Sequence, residues 1–560
     1  RRDAELLAPP DAALTTPAEA TEATAFTPST SGFRNEPETD FDVPENQAKM
    51  RAALADVARQ IGTLVTVVIN SRQETSPQVA ERRDPSDTAH VASRSHWATP
   101  EQAKRAVAAA QQAFPNWRET PVAERAALLR WVAQEFRWRR FEIAAWQVYE
   151  VGKPWRDADA DVAEAIDFCE YYAAEMECLD APRRRDVPGE WNDYFYEARG
   201  PAVIIAPWNF PLAILTGMSV AAIVAGNPVV IKPSEQSARV GAFLMEALLA
   251  AGAPPGVANF LPGEGEAIGP VLVNDPRVAL IAFTGSREVG LSILRDAAVV
   301  QPGQREIKRV IAELGGKNAI IVDEDADLDE AVLGVLTSAI GYAGQKCSAC
   351  SRAIVIGAAY EPFCARLAEA IKSIRIGPAA DPATTLGPVV DAAAQQRVRE
   401  YIGIGQNEGR LLAQIEPDER LTASGFYVPA AAFTDCPPEG RLCQEEIFGP
   451  VLAVLRATNL DTALQLADNT VYALTGGFYS RSPAHIECVR REFRVGNLYI
   501  NRKITGALVD RQPFGGARLS GVGSKAGGPD YLLQFLVPRT VTESVLRHGF
   551  APSQSVTRSA

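Results

Sequence analysis

With 560 residues the chain exceeds one ordinary domain, and its length predicts two or three. Hydrophobic residues make up 47% and charged residues 22%, which allows a large core and excludes a wholly disordered chain. The net charge is −13, and the first 45 residues, with three Arg against ten Asp and Glu, carry much of it; the remainder is mildly acidic and lacks the basic stripe of a nucleic-acid binder.

The chain starts with Arg, and residues 1–31 are rich in Ala, Thr, Pro and Glu without any apolar period. Such a stretch reads as a flexible linker or tail, and residues 1–45 together as linker and lead-in. Two origins are open: a cut from a longer polypeptide, or a trimmed terminus. No basic-then-apolar signal pattern is present. The most apolar stretch, residues 214–231, is broken by Thr216, Gly217, Ser219, Gly226, Asn227 and Pro228, so no membrane span is expected. Eight scattered cysteines do not form a disulfide framework and fit a reducing compartment, the cytoplasm. The four histidines (His90, His96, His485, His548) lie away from the motifs below, so neither a histidine triad nor a metal site is expected.

Met50, Leu54, Val57 and Ile61 recur at helical spacing and predict an opening helix. Residues 66–98 are polar and read as irregular. Residues 100–180 read as long helices with Ala-rich faces and a Trp-rich face around Trp131, Trp138 and Trp146. The style then changes to short apolar runs: Ala202-Val203-Ile204-Ile205-Ala206, Val229-Val230-Ile231, Leu280-Ile281-Ala282-Phe283 and Ala319-Ile320-Ile321-Val322, with helical segments such as residues 239–251 between them. That alternation predicts an α/β fold: a parallel sheet with helices on both faces. Ligands of such sheets sit beyond the carboxyl ends of the strands, so Asn209, Lys232, Glu235 and Ser286 are expected on one rim. A second α/β stretch runs from about residue 330 to 505, with strands at residues 353–356 and 451–454. Residues 191–197 and 534–545 look like strands with no helix between them, to pair with each other or across a subunit interface.

Cys347, in Gly344-Gln345-Lys346-Cys347-Ser348, is a candidate nucleophile. A thiol works as thiolate, aided by positive charge or a helix N-terminus; Lys346 is adjacent and the following residues are expected to open a helix. The other reading is a small buried hydrophobe. Cys350 completes a Cys-x-x-Cys, but no further zinc ligands follow and the surroundings do not read as thioredoxin-like. Glu313, before Leu314-Gly315-Gly316-Lys317, suits a mobile general base or an ordinary helix-end acid. Glu445 and Glu446 invite the same two readings. Gly263-x-Gly265-x-x-x-Gly269 is one residue too long for a dinucleotide fingerprint. Phe283-Thr284-Gly285-Ser286-x-x-x-Gly290 is better placed to hold a pyrophosphate at a helix N-terminus. Lys232 and Glu235 suit ribose hydroxyls, and an acid there favours NAD over NADP.

In order and content these motifs resemble the aldehyde dehydrogenase superfamily: Pro207-Trp208-Asn209-Phe210-Pro211, Lys232-Pro233-Ser234-Glu235, Phe283-Thr284-Gly285-Ser286, Glu313-Leu314-Gly315-Gly316-Lys317, Gly344-Gln345-Lys346-Cys347, Glu446-Ile447-Phe448-Gly449-Pro450 and Pro513-Phe514-Gly515-Gly516. The resemblance covers about residues 33–547. Cys347-Ser348-Ala349-Cys350-Ser351-Arg352, the tail from Asn501 to Val509, Gly527-Gly528-Pro529 and Phe33-Arg34-Asn35-Glu36-Pro37 look like the L-glutamate γ-semialdehyde (1-pyrroline-5-carboxylate) dehydrogenases. In bifunctional proline-utilisation proteins such a domain follows a proline dehydrogenase domain, which suits the Ala/Pro-rich start.

The resemblance implies the aldehyde dehydrogenase fold: a Rossmann-like NAD-binding domain (residues 46–184 and 200–312), an α/β catalytic domain (313–505), and a small oligomerisation β-flap (185–199 and 530–548). It implies NAD-dependent oxidation of the semialdehyde to L-glutamate in proline breakdown. Cys347 is then the nucleophile, Glu313 the base that activates water, and the Asn209 amide with the Cys347 N–H the oxyanion hole. Glu446 and Phe448 take the nicotinamide ribose and ring, Lys232 and Glu235 the adenosine ribose, and Ser286 the pyrophosphate; Trp208, Ser234, Gly285 and Gly315 complete the cofactor set. Ser348, Gly506 and Ala507 hold the substrate carboxylate, where small residues permit close approach of an anion, although Gly506-Ala507 also reads as a plain turn. Phe210 and Phe514 pack on the aliphatic chain, and Glu164 lies at the substrate end. Expected partners are a small-molecule substrate, further copies of the chain in a dimer or higher homo-oligomer, and a proline dehydrogenase domain or partner. The alternatives are an aldehyde dehydrogenase for another semialdehyde or an aliphatic aldehyde, and a non-catalytic structural protein of the same fold, whose signature would be loss of the nucleophile or base.

Overall fold

The computed structural model describes residues 32–546. The tail at residues 1–31 lies outside the described residues. The lead-in from Phe33 is not loose: Asn35 Nδ2 donates to Asp167 at 2.8 Å and to the Val509 carbonyl at 2.9 Å. Thr39 donates to Asp159 through its N–H and hydroxyl, and the Phe41 ring meets Trp155 edge-on at 5.5 Å. Two buried carboxylates on one helix thus fasten this irregular lead-in, which composition could not reveal.

The opening helix is Pro44–Ala58, and Met50, Leu54 and Val57 are its buried face. Residues 66–98, expected to be irregular, contain four strands: Val67–Ile69, Arg72–Glu74, Val79–Arg83 and Val91–His96. Most are too short, or expose too much of one face, to show an apolar run. Four helices follow, Pro100–Glu119, Val122–Trp138, Arg140–Val151 and Trp155–Leu179, the first started by a Thr99/Gln102 capping box. Of the three tryptophans in the predicted face only Trp146 enters the core; Trp131 and Trp138 lie exposed, edge-on to each other.

The first sheet has eight strands in the order Gly521–Val522, Arg309–Glu313, Leu280–Thr284, Ala202–Ile205, Val229–Lys232, Ala258–Phe260, Val67–Ile69, Arg72–Glu74. The five from Arg309–Glu313 to Ala258–Phe260 are parallel and mostly buried, as continuous apolar runs require. After Ala202–Ile205 the chain builds outward through Val229–Lys232 and Ala258–Phe260, then returns to place Leu280–Thr284 on the other side. The strand order therefore reverses between Ala202–Ile205 and Leu280–Thr284, the switch point where such sheets bind ligands. Asn209 and Ser286 lie shortly beyond these two strands.

The second sheet has seven strands, Arg410–Ile415, Ala430–Thr434, Val451–Ala457, Cys350–Ile356, Asn318–Val322, Thr475–Tyr479 and Asn497–Ile500, with only the first pair antiparallel. Asn318–Val322, grouped by sequence with the first sheet, is central to the second; the first sheet instead uses Arg309–Glu313. Four residues, Leu314 to Lys317, bridge the two sheets. Glu190–Ala198 and Leu536–Ser544 pair with each other, antiparallel through nine residue pairs, and project as a ribbon with residues 537–544 exposed.

Candidate active site

Three backbone segments meet at the inter-sheet bridge. Gly316 has no room for a side chain: a Cβ there would stand 2.7 Å from the Cys347 carbonyl oxygen. Asn318 Nδ2 then donates to the Cys347 and Ala349 carbonyls at 2.7 and 2.9 Å, fixing the nucleophile loop to the start of the central strand. On the third segment Glu446 Oε1 accepts the Gly316 N–H at 2.9 Å. The turn into Cys347 is strained, with Tyr342 and Ala343 at φ 52° and 54°, and Phe448 lies at φ 60°. Non-glycine residues in this region cost about 1–2 kcal/mol each and collect at functional sites. The Tyr342 hydroxyl, donating to the Val151 carbonyl at 2.8 Å, helps hold the turn.

No helix follows Cys347; a short turn leads into the strand Cys350–Ile356. Nor is Lys346 turned to the thiol, because its Nζ pairs with Asp157 Oδ1 at 2.6 Å. Both expected sources of thiolate stabilisation are therefore absent from this arrangement. Burial pushes the Cys347 thiol up to about 12, and the Glu446, Glu313 and Glu164 carboxylates add to the rise against the Ser348 N–H. Cys350 opens the strand as a buried residue whose thiol donates to the Arg352 carbonyl.

Glu313 ends a strand rather than a helix. One carboxylate oxygen is buried with no hydrogen-bond partner. Burial lifts its pKa to about 8, opposed by the Gly516 N–H and by Lys525. Asn209 is buried; its Nδ2 donates to the Gln345 carbonyl at 3.1 Å, two residues before Cys347, which leaves a second amide hydrogen. The Asn209 amide thus reaches the loop that carries Cys347, and the Glu313 carboxyl, able to hold a proton near neutrality, is close enough to act on the thiol.

At the carboxyl end of the strand Val229–Lys232, Lys232 Nζ donates to Glu235 Oε1 at 3.1 Å, and that carboxylate also takes the Gly265 N–H at 2.5 Å. Gly265 begins the helix Gly265–Asn274, so the glycine pattern dismissed as too long does supply a rim residue. Ser234 donates to Gln236 at 2.6 Å. Gly285 and Ser286 lead into the helix Arg287–Ala297, whose first turn Ser286 caps by accepting the Val289 N–H, which leaves its hydroxyl hydrogen able to donate. Trp208 stands edge-on to Phe448 at 5.5 Å and to Tyr342 at 6.3 Å, linking this side to the Cys347 loop. A Cβ on Gly315 would overlap the Glu446 carboxylate. Gly315→Ala is therefore expected to expel Glu446 from the Gly316 N–H and raise the dinucleotide KM about ten-fold, the scale of one charged hydrogen bond; initial rates against dinucleotide concentration check this, and an unchanged KM removes Glu446 from the cofactor set.

On the other side of the thiol, Ser348 is buried, its carbonyl accepting from Thr475 Oγ1 at 3.2 Å. Asp157, paired with Lys346, also feels the charge of Lys503, which opens the loop of residues 503–507. Gly506 in that loop has φ 77° and is exposed, with Ala507 half-buried. Phe514 bridges to Ala526 next to Gly515, which abuts Glu313. The Phe210 ring lies 4.1 Å from Lys153 Nζ. Glu164 is pushed up to about 8 by burial and by Asp161.

Sequence reasoning missed Lys153, Asp161, Gln345 and Lys525. Only Lys153 left a trace, as a lysine between the helix breakers Gly152 and Pro154.

Residues 72–541 match the model of the aldehyde dehydrogenase family. A 1-pyrroline-5-carboxylate dehydrogenase of Geobacillus thermodenitrificans is 46% identical over 512 residues, covering 91% of this chain and 99% of that one. One from Bacillus subtilis is 43% identical over 513 residues, with the same coverage. Among solved structures, a Thermus 1-pyrroline-5-carboxylate dehydrogenase with bound NAD superposes with a TM-score of 0.89 at 46% identity, over 91% of this chain and 99% of that one. Proline utilization A from Bdellovibrio bacteriovorus, inactivated by N-propargylglycine, superposes at 0.91 with 51% identity, over 94% of this chain and 55% of that longer one. The fold and these similarities agree: the chain belongs to the aldehyde dehydrogenase family.

Proposed function

We propose that this chain oxidises L-glutamate γ-semialdehyde, the open form of 1-pyrroline-5-carboxylate, to L-glutamate with NAD. The Asn209 amide on the Cys347 loop at Gln345, with Glu313 acting on the thiol, carries the dehydrogenase reading; the shared name of relatives 43–46% identical over 91% of the chain supports the substrate. The Lys232–Glu235–Gly265 cluster and the capped helix after Gly285-Ser286 suit a dinucleotide's ribose and pyrophosphate.

Cys347, its thiol proton given up to solvent, attacks the aldehyde carbon as the thiolate and forms the C–S bond while the carbonyl π pair moves to oxygen. The resulting oxyanion takes hydrogen bonds from Asn209 Nδ2 and the Cys347 N–H. NAD, which Lys232, Glu235, Ser286, Glu446 and Phe448 would hold, would supply the hydride acceptor for this carbon. Glu313 then removes a proton from the water that attacks the thioester, and the Cys347 sulfur leaves. Ser348 and the backbone of Gly506 and Ala507 hold the amino-acid end, with Phe210 and Phe514 along the chain and Glu164 nearby. We further read the first sheet and its helices as the cofactor unit, the second as the catalytic unit, and the ribbon of residues 190–198 and 536–544 as a self-association surface. The free thiols fit the cytoplasm, and a proline-oxidising domain or partner is the source of the substrate.

A site that binds a polar end group discriminates strongly against substrates lacking it. The semialdehyde should exceed propanal in kcat/KM by at least about 100-fold, and Ser348→Ala should raise KM for the semialdehyde about ten-fold while leaving propanal unaffected. Steady-state rates across an aldehyde panel check both, and equal or better turnover of propanal rejects the substrate assignment.

A further inference from the structure

Between the helices Arg140–Val151 and Trp155–Leu179 lies a fully buried lysine, Lys153. An ammonium removed from water is costly unless paired and hydrogen-bonded, so its partners define its role. Nζ donates to the backbone carbonyl of Asn209 at 3.0 Å. It lies 3.4 Å from Asp161 Oδ1, also fully buried, and 4.1 Å from the centre of the Phe210 ring. Asp161 in turn accepts the N–H groups of Leu212 and Ala213 at 3.2 and 3.4 Å. These lie at the start of the helix Ala213–Val224, whose own N-cap residue makes no side-chain bond. The ion pair therefore grips both ends of residues 209–213: the lysine at the Asn209 carbonyl, the aspartate at the first helical turn. The Asn209 amide meanwhile reaches the Cys347 loop at Gln345. An aliphatic side chain would fill the Lys153 volume without the desolvation cost, but it would not hold a carbonyl.

We propose that Lys153, seated on Asp161, is a positioning residue for the oxyanion hole: it fixes the Asn209 backbone so that the amide stays aimed at the carbon attacked by Cys347. The inference rests on the reading of Asn209 as oxyanion donor. A misaimed donor weakens the transition state more than substrate binding, so the loss belongs in turnover.

The test is a double-mutant cycle on the full chain with Lys153→Met and Asn209→Ala, read by single-turnover NADH formation. Lys153→Met is expected to slow that step about 10- to 100-fold, less than the roughly 100- to 1000-fold of losing an oxyanion donor outright, because the donor is misaimed rather than removed. The aldehyde KM should stay within about three-fold, and iodoacetamide should alkylate Cys347 at the unmodified rate, as a collapsed site would not allow. In the Asn209→Ala background the same change should cost less than about two-fold. Additive losses, or a loss confined to KM, overturn the positioning role while leaving the oxyanion assignment intact. Asn209→Ala with turnover within about two-fold overturns the oxyanion assignment and this inference with it. Should Lys153→Met not fold, Asp161→Asn, which keeps shape and a backbone acceptor, enters the same cycle, and additivity there overturns the proposal equally.

Discussion

Cys347→Ala lowers NADH formation by at least about 10⁴-fold, the scale of removing a covalent nucleophile. The loss is chemical, not structural. The loop is fixed through backbone groups, the Cys347 and Ala349 carbonyls on Asn318, and the strained turn is held by Tyr342 rather than by the thiol. The melting temperature should therefore move by no more than about 3 °C, the shift from a sub-kcal/mol change in a large chain. A companion result concerns the unmodified chain. Burial and three carboxylates hold the thiol up to about 12, so without cofactor the thiolate is scarce at neutral pH. Alkylation by iodoacetamide should be slow at pH 7 and rise about ten-fold per pH unit up to pH 10, since the thiolate fraction does so below the pKa. Residual turnover above about 1% in Cys347→Ala, measured by NADH absorbance, removes Cys347 as the nucleophile.

The parts of this site legible in the sequence are those whose chemistry depends on residue type at a strand end. Val229–Lys232 and Leu280–Thr284 were visible as apolar runs because parallel strands are buried on both faces, and Lys232 and Ser286 follow from where those runs stop. Strands such as Arg72–Glu74 and Val79–Arg83 left no comparable run because at least one face meets solvent. Asn318–Val322 reads as a strand from its apolar run, but that run does not tell which sheet it joins: periodicity reports burial, not the neighbour that buries it. Cys347 and Glu313 were legible as chemistry, yet not their electrostatics. Lys346 adjoins Cys347 in sequence, but Asp157, 189 positions away, claims its charge. The Lys153–Asp161 pair was illegible for the same reason, since the residues that satisfy a buried charge are set by tertiary contact.

Glu313→Gln separates the two halves of the reaction. If Glu313 serves the water that resolves the thioester, the variant still forms about one equivalent of NADH per site in a burst, then turns over about 10²- to 10⁴-fold more slowly. The pH dependence follows from the environment of the carboxyl. Burial raises its pKa from 4.5 to about 8, while the Gly516 N–H and Lys525 pull the other way. The base must be the carboxylate, and below about 8 the proton is held. Steady-state turnover should therefore rise about ten-fold per pH unit well below 8, reach half its plateau near 8, and level off about one unit higher, where the carboxyl is nearly all ionised. Glu313→Gln cannot titrate, so this limb should vanish from its residual rate. Lys525 has a defined place in this balance: its Nζ donates to the Gly496 carbonyl and to Asn497 Oδ1, which keeps the cation on the side of Glu313 where it favours the ionised form. Stopped-flow NADH absorbance across pH 6 to 10 decides the matter. A variant that loses its burst together with its steady-state rate assigns Glu313 to the step before hydride transfer, as the acceptor of the Cys347 proton, and an acid limb that persists in Glu313→Gln assigns the titration to another group.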